Sequence, residues 1–170
     1  MSNFSVDLND KRECRYVFPT RLWNNRLNRF DEPVDVLLDT GSFNTAIHKS
    51  LATRYGTILD ATMKVAIGGF RGDVNICVIN KLKVGTQILE KVVALAVPFS
   101  GELKDHILLG ANVTNNWKFT VSRVENKLDV SEQFSEAALK REYPYRYCFD
   151  NAGRIMAFQD FMDGGETQED

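Results

Sequence analysis

The chain has 170 residues, 44% of them hydrophobic, and a formal net charge of −2, which suits one domain with its own core plus a modest extension. Its lysines and arginines are scattered in short clusters such as Lys11-Arg12 and Lys140-Arg141, so there is no electrostatic footprint for a nucleic acid. Three widely spaced cysteines, Cys14, Cys77 and Cys148, argue against a disulfide framework, and His48 and His106 lack partners at metal-ligand spacing, so neither a metal nor another cofactor is expected.

Residues 1–10 are polar and carry no apolar core of a signal sequence. The longest apolar run, Val92–Phe99, is too short to span a bilayer, so the expectation is a cytoplasmic chain without a membrane segment. Arg15–Phe18 reads as a short strand closed by Pro19, and Thr20–Pro33, rich in Asn and Arg around Trp23, as a loop or hairpin. Val34–Leu38 is a short apolar strand, interrupted at Asp35, that delivers the turn Asp39-Thr40-Gly41-Ser42. Ile47, Leu51 and Tyr55 then recur every four residues, with Asn44 or Thr45 as cap and Gly56 as stop, which predicts a helix over Thr45–Tyr55.

Strands separated by glycine turns follow: Met63–Ile67, Gly68-Gly69, Val74–Val78; Leu82–Val84, Gly85-Thr86, Ile88; and Val92–Val97 up to Pro98. A second strand-turn-helix junction runs from Ile107-Leu108-Leu109-Gly110 into a predicted helix over Ala111–Trp117. Phe119–Val124 and Lys127–Val130 read as a hairpin turning at Glu125-Asn126. Trp23 and Trp117 read as packing residues. Past residue 130 the character changes. Asp129 and Glu132 resemble a capping box, Tyr145–Phe158 a hairpin around Asp150-Asn151-Ala152-Gly153, and Asp160–Asp170 an acidic flexible tail. The expected organisation is therefore a domain over 1–130 and an extension over 131–170.

The chemistry concentrates at Asp39. A carboxylate ending an apolar strand is costly to place unless its oxygens are hydrogen-bonded. Gly41 lets backbone approach it, and the Ser42 hydroxyl is placed in sequence to donate to it, favouring the charged form.

Apolar-apolar-Asp-Thr-Gly-Ser resembles the catalytic motif of aspartic proteases. The order of the other elements sharpens the likeness to the retropepsin-like, single-lobe members: the Asp-Thr-Gly turn, a helix, a glycine-rich flap at Ile67-Gly68-Gly69-Phe70, further strands, and an apolar-apolar-Gly turn at Leu108-Leu109-Gly110 with Asn112 following. This likeness covers about residues 16–130. It implies a mainly β fold, a closed barrel-like sheet with one or two short helices, active as a two-fold dimer. It further implies an aspartic endopeptidase acting on polypeptide. Two carboxylates must share a proton and hold a water between them, and this chain has no second Asp-Thr-Gly or Asp-Ser-Gly. The second Asp39 would then come from another copy across a two-fold axis. In this frame Thr40 pairs with its twin, the flap closes over substrate, and Leu108, Leu109 and Gly110 support the catalytic loop from behind.

The sequence also departs from the retroviral pattern. Ala111 stands where those enzymes carry an Arg, Phe43-Asn44 where its Asp partner lies, and Ser42 in place of the usual Ala, which leaves the mode of dimerisation open. Retroviral chain termini interleave into an interfacial sheet; the Tyr145–Phe158 segment is apolar enough to replace or cover it, the alternative being a surface decoration unrelated to the dimer. Competing readings are a dimeric peptide-binding module of the same fold that cuts slowly or not at all, and a monomeric structural β-domain.

Overall fold

The computed structural model describes residues 4–9 and 15–133. In chain order the elements are β1 (Phe4–Asp7), β2 (Val17–Asn24), β3 (Arg29–Phe30), β4 (Val34–Leu38), β5 (Thr45–His48), α1 (Lys49–Tyr55), β6 (Gly56–Ile67), β7 (Phe70–Val84) and β8 (Gln87–Val97). A 3-10 turn (Gly101–Asp105) follows, then β9 (His106–Leu109), α2 (Ala111–Thr114), β10 (Trp117–Ser122) and β11 (Lys127–Gln133).

β2, β4, β9, β5, β8 and β7 are hydrogen-bonded in that order, and β2 meets β7 again at Arg21↔Lys83 and Leu22↔Leu82. The ring is thereby closed into a six-stranded barrel with β3 and β6 at its margins, so the described residues form a mainly β architecture with two short helices. Most pairs are antiparallel, but β4 runs parallel to β9 and β5 parallel to β8. A separate three-stranded sheet, β1-β11-β10, joins the two ends of the described chain.

The barrel interior is filled by Phe18, Leu22, Val36, Ile47, Ile79 and Leu109, among others, while Ala46, Val74, Ile76, Leu95, Val97 and Leu108 form a second cluster. Consecutive residues of one strand thus serve opposite clusters: Ala46 and Ile47, Leu108 and Leu109. A strand covered on both faces needs no polar alternation, which is why Ile107–Leu109 and Val92–Val97 read as unbroken apolar runs. Cys77 is fully buried in the barrel, and burial pushes its thiol up to about 12, leaving it protonated at neutral pH.

Several local expectations are corrected. Thr45–His48 is a strand, and the helix begins only at Lys49 with His48 as its cap, its Nδ1 accepting from the Ser50 N–H. Thr45 and Ile47 are β-branched and buried between β8 and β9, so two ladders outweigh a four-residue spacing that straddles the junction. Pro19 does not close its strand. Leu38 N–H donates to Tyr16 O, which makes that pair a bonded one. Pro19, three residues on and opposite Asp35, therefore falls at a non-bonded position where no N–H is needed.

The second helix stops at Thr114 and Trp117 opens β10 instead, packing edge-on to Phe4 and Phe119 at centroid distances of 5.5 and 6.3 Å. Asp129 and Glu132 lie inside β11, paired with β10, so they cap no helix. The Tyr145–Phe158 and Asp160–Asp170 segments lie outside the described residues. Thr20–Pro33 is a hairpin: Asn24 Oδ1 accepts from the N–H groups of Arg26 and Leu27, and Trp23 packs edge-on to Phe30 at 5.0 Å. Among the described residues no helix is long and apolar enough to cross a membrane.

Candidate active site

Parallel pairing of β4 with β9 sets Leu37 opposite Leu108 and Leu38 opposite Leu109. Two strands ending in step bring the loops that follow them together. The Asp39 N–H donates to Leu109 O at 3.0 Å, and the Asp39 loop closes on itself with Ser42 N–H to Asp39 O at 3.2 Å. The second loop then returns the contact: Ala111 N–H donates to Ser42 O and Asn112 N–H to Phe43 O, both at 2.8 Å. Gly110 lies flush against the Asn44 backbone, and a Cβ there would stand 2.8 Å from Phe43 O. Leu108 and Leu109 are buried behind the loop.

Beneath the loops lies a buried polar knot. Thr45 Oγ1 donates to Asn112 Oδ1 at 2.7 Å and accepts from Gly110 N–H at 3.1 Å, while Thr45 N–H also donates to Asn112 Oδ1 at 3.0 Å. Asn112 Nδ2 in turn donates to Val93 O at 2.8 Å. Thr45 was not among the expected site residues, since its spacing suggested a helix start, and Asn112 stood out only as the residue two past Gly110.

Asp39 is half-buried, with Thr40 and Gly41 exposed beside it. Among the described residues no side chain pairs with its carboxylate. Gly41 leaves that carboxylate open: even a Cβ at this position would sit 3.6 Å from Asp39 Oδ1. The expected bond from Ser42 is replaced, because the Ser42 hydroxyl donates to Asn44 O at 3.0 Å. The hydroxyl is thereby spent on a backbone carbonyl two residues on.

The segment expected to form a flap is the tip of the β6–β7 hairpin, a two-residue turn with Gly68 at φ 55° and Gly69 at φ 82°, closed by the pair Ile67↔Phe70. Positive φ at both turn positions twists with the flanking strands, and glycine adopts it without strain. On β6 the odd-numbered residues Met63, Val65 and Ile67 are half-buried while Thr62, Lys64 and Ala66 are exposed. With Phe70, that inner stripe packs on the second apolar cluster beside Leu37, Phe43 and Leu103. The structure thus brings Asp39, Thr40, Gly41 and Gly110 into one pair of loops, and covers the neighbouring apolar face with Ile67 and Phe70.

A family model described as aspartyl protease matches residues 26–113, a span from the β2–β3 turn to α2. Among solved structures, the chain is similar to a retropepsin-like aspartic protease from Rickettsia conorii, with 14% identity, a TM-score of 0.47, and coverage of 76% of this chain and 89% of that one. It is also similar to the EIAV protease in complex with an inhibitor, with 19% identity, a TM-score of 0.39, and coverage of 64% and 92% respectively. No curated protein matches the sequence.

Proposed function

The chain belongs to the aspartyl protease family, and on that premise we propose that it is an aspartic endopeptidase whose active unit is a homodimer, with one Asp39 from each copy. The observation that carries this reading is the placement of Asp39: at the end of β4, in a loop locked to the 110–112 loop, half-exposed and with no partner among the described side chains. A second copy turned about a two-fold axis can present its own Asp39 there.

In the dimer the two carboxylates share one proton, because two like charges at contact distance cannot both ionise. The ionised Asp39 takes a proton from the water held between them, and the hydroxide oxygen bonds to the peptide carbonyl carbon. The protonated Asp39 gives its proton to the carbonyl oxygen, producing a neutral tetrahedral diol. Collapse of the diol returns a proton to that carboxylate, the other delivers its proton to the peptide nitrogen, and the C–N bond breaks into a new carboxyl and a new amine. The loop pair 39–45 and 110–112 supplies rigidity, so that the carboxylates need no reorganisation as charge moves, and the flap hairpin excludes water and offers backbone to an extended substrate. Site roles for Thr40 at the axis, and for Ile67, Gly68, Gly69 and Phe70 over substrate, follow the same reading.

The test is cleavage of an unstructured protein between pH 4 and 7 by the wild type and by Asp39→Asn, with fragments read by mass spectrometry. Fragments from the wild type and none from the variant support the reading. No cleavage by a chain shown to be dimeric would replace it with the peptide-binding module.

A further inference from the structure

The flap tip does not hang free. At Gly68 a Cβ would lie 2.6 Å from Phe99 Cε1 and 2.8 Å from Leu103 Cδ1, so the tip backbone rests directly against two apolar side chains. Phe99 is only 4% exposed although it sits where β8 has already ended. Leu103 is half-buried on the otherwise exposed 3-10 turn Gly101–Asp105. The turn is itself held to the lobe: His106 Nδ1 meets Glu102 O at 2.7 Å, and Arg15 Nη1 reaches Glu102 Oε2 at 3.5 Å. The flap's inner stripe, Met63, Val65 and Ile67, is packed on the same cluster that Phe99 and Leu103 belong to. Every one of these contacts is made within one protomer.

We infer that Phe99 and Leu103 are positioning residues that seat the flap tip, and that the 3-10 turn holds the flap down over the cleft before substrate arrives. This rests on the protease reading for its consequence, but not for the contact itself. A seated flap makes the entry-competent form a minor population, and the apparent affinity for substrate falls by that fraction. The seat as well as the turn disfavours a side chain at Gly68: a Cβ there would force Phe99 and Leu103 to shift, and backbone at φ 55° favours glycine.

The experiment is hydrogen exchange on the full chain, comparing the wild type with Leu103→Ser and Leu103→Met. Loss of the apolar contact is expected to raise exchange of the backbone amides from Val65 to Arg71 by about tenfold in Leu103→Ser. The barrel amides of Ala46 and Leu95 should not move, and Leu103→Met should restore the wild-type rates. In cleavage assays Leu103→Ser should lower KM while leaving kcat close to wild type. Flap amides that exchange equally in wild type and Leu103→Ser would overturn the seat. So would a raised KM with unchanged exchange, which would make Leu103 a pocket residue. A chain shown to be dimeric that cleaves nothing yet shows the flap-specific rise keeps the seat and discards the protease, so the two failures are distinguishable.

Discussion

Thr45 and Asn112, 67 residues apart in sequence, share a single oxygen: Asn112 Oδ1 accepts from both the hydroxyl and the backbone N–H of Thr45, at 2.7 and 3.0 Å. Thr45 is fully buried and Asn112 nearly so. Each donor would be stranded without that oxygen, and the cost of a buried unsatisfied group exceeds the net worth of the bond it lost. Asn112→Ala should therefore destabilise the chain by about 3 kcal/mol, since it strands the two Thr45 donors together. Urea unfolding should show a lower midpoint with an unchanged slope. A change under about 0.5 kcal/mol would mean that the knot is not what holds the two loops together.

Gly110 tests the same junction by steric means. A Cβ there runs into the Asn44 backbone and Phe43 O, neither of which can yield without moving the Asp39 loop. Gly110→Ala should cost about 2 kcal/mol, and cleavage should fall further than the loss of folded protein explains. Cleavage that merely tracks the folded fraction would show that the loop tolerates the displacement.

Ser42 offers a prediction opposite to the one its sequence position suggests. Donation to Asp39 would have favoured ionised carboxylates and an acid-shifted activity profile. Because the hydroxyl is engaged by Asn44 O, Ser42→Ala should leave the pH–rate profile where it is and cost about 1 kcal/mol of stability. An alkaline displacement of the acid limb on removing the hydroxyl would restore the bond to Asp39.

Asp31 contributes to acid stability away from the site. Its carboxyl is held below the ordinary 3.8, first by the amide of Asn24 and then by the hydroxyl of Tyr55, which donates at 2.7 Å. Burial and then that same bond push Tyr55 above its ordinary 10.0. A carboxyl depressed in the folded state stabilises above its unfolded value and loses that contribution as pH falls through its folded value. A phenol raised in the folded state stabilises below its unfolded value and loses it as pH rises. The stability gap between wild type and Asp31→Asn should thus be flat through neutral pH, shrinking below pH 3.8 and above pH 10.0. A gap that grows on acidification would contradict the assignment.

How much of this was legible in the sequence depends on whether the determinant was local. Val34–Leu38 delivering Asp39, the glycine pair at 68–69 and the Leu108-Leu109-Gly110 turn each carry their signal within a few residues, and each stands where expected. The errors arise where tertiary partners decide. Ile47, Leu51 and Tyr55 keep helical spacing across a strand–helix junction that only β8 and β9 reveal. Pro19 is harmless solely because of its register with Asp35. The Thr45–Asn112 knot and the seat of Gly68 on Phe99 and Leu103 join residues so distant in sequence that no spacing announces them.

Whether each copy supplies half of one catalytic dyad is measured most directly by a mixing titration. Wild type and Asp39→Asn are co-refolded in varying ratio at constant total protein, and cleavage of an unstructured substrate is followed at fixed pH. A shared dyad makes activity follow the square of the wild-type fraction, so an equal mixture retains about a quarter of the wild-type rate. Activity that falls linearly, to about half at the equal mixture, would mean that each Asp39 works without the other and would contradict the shared site.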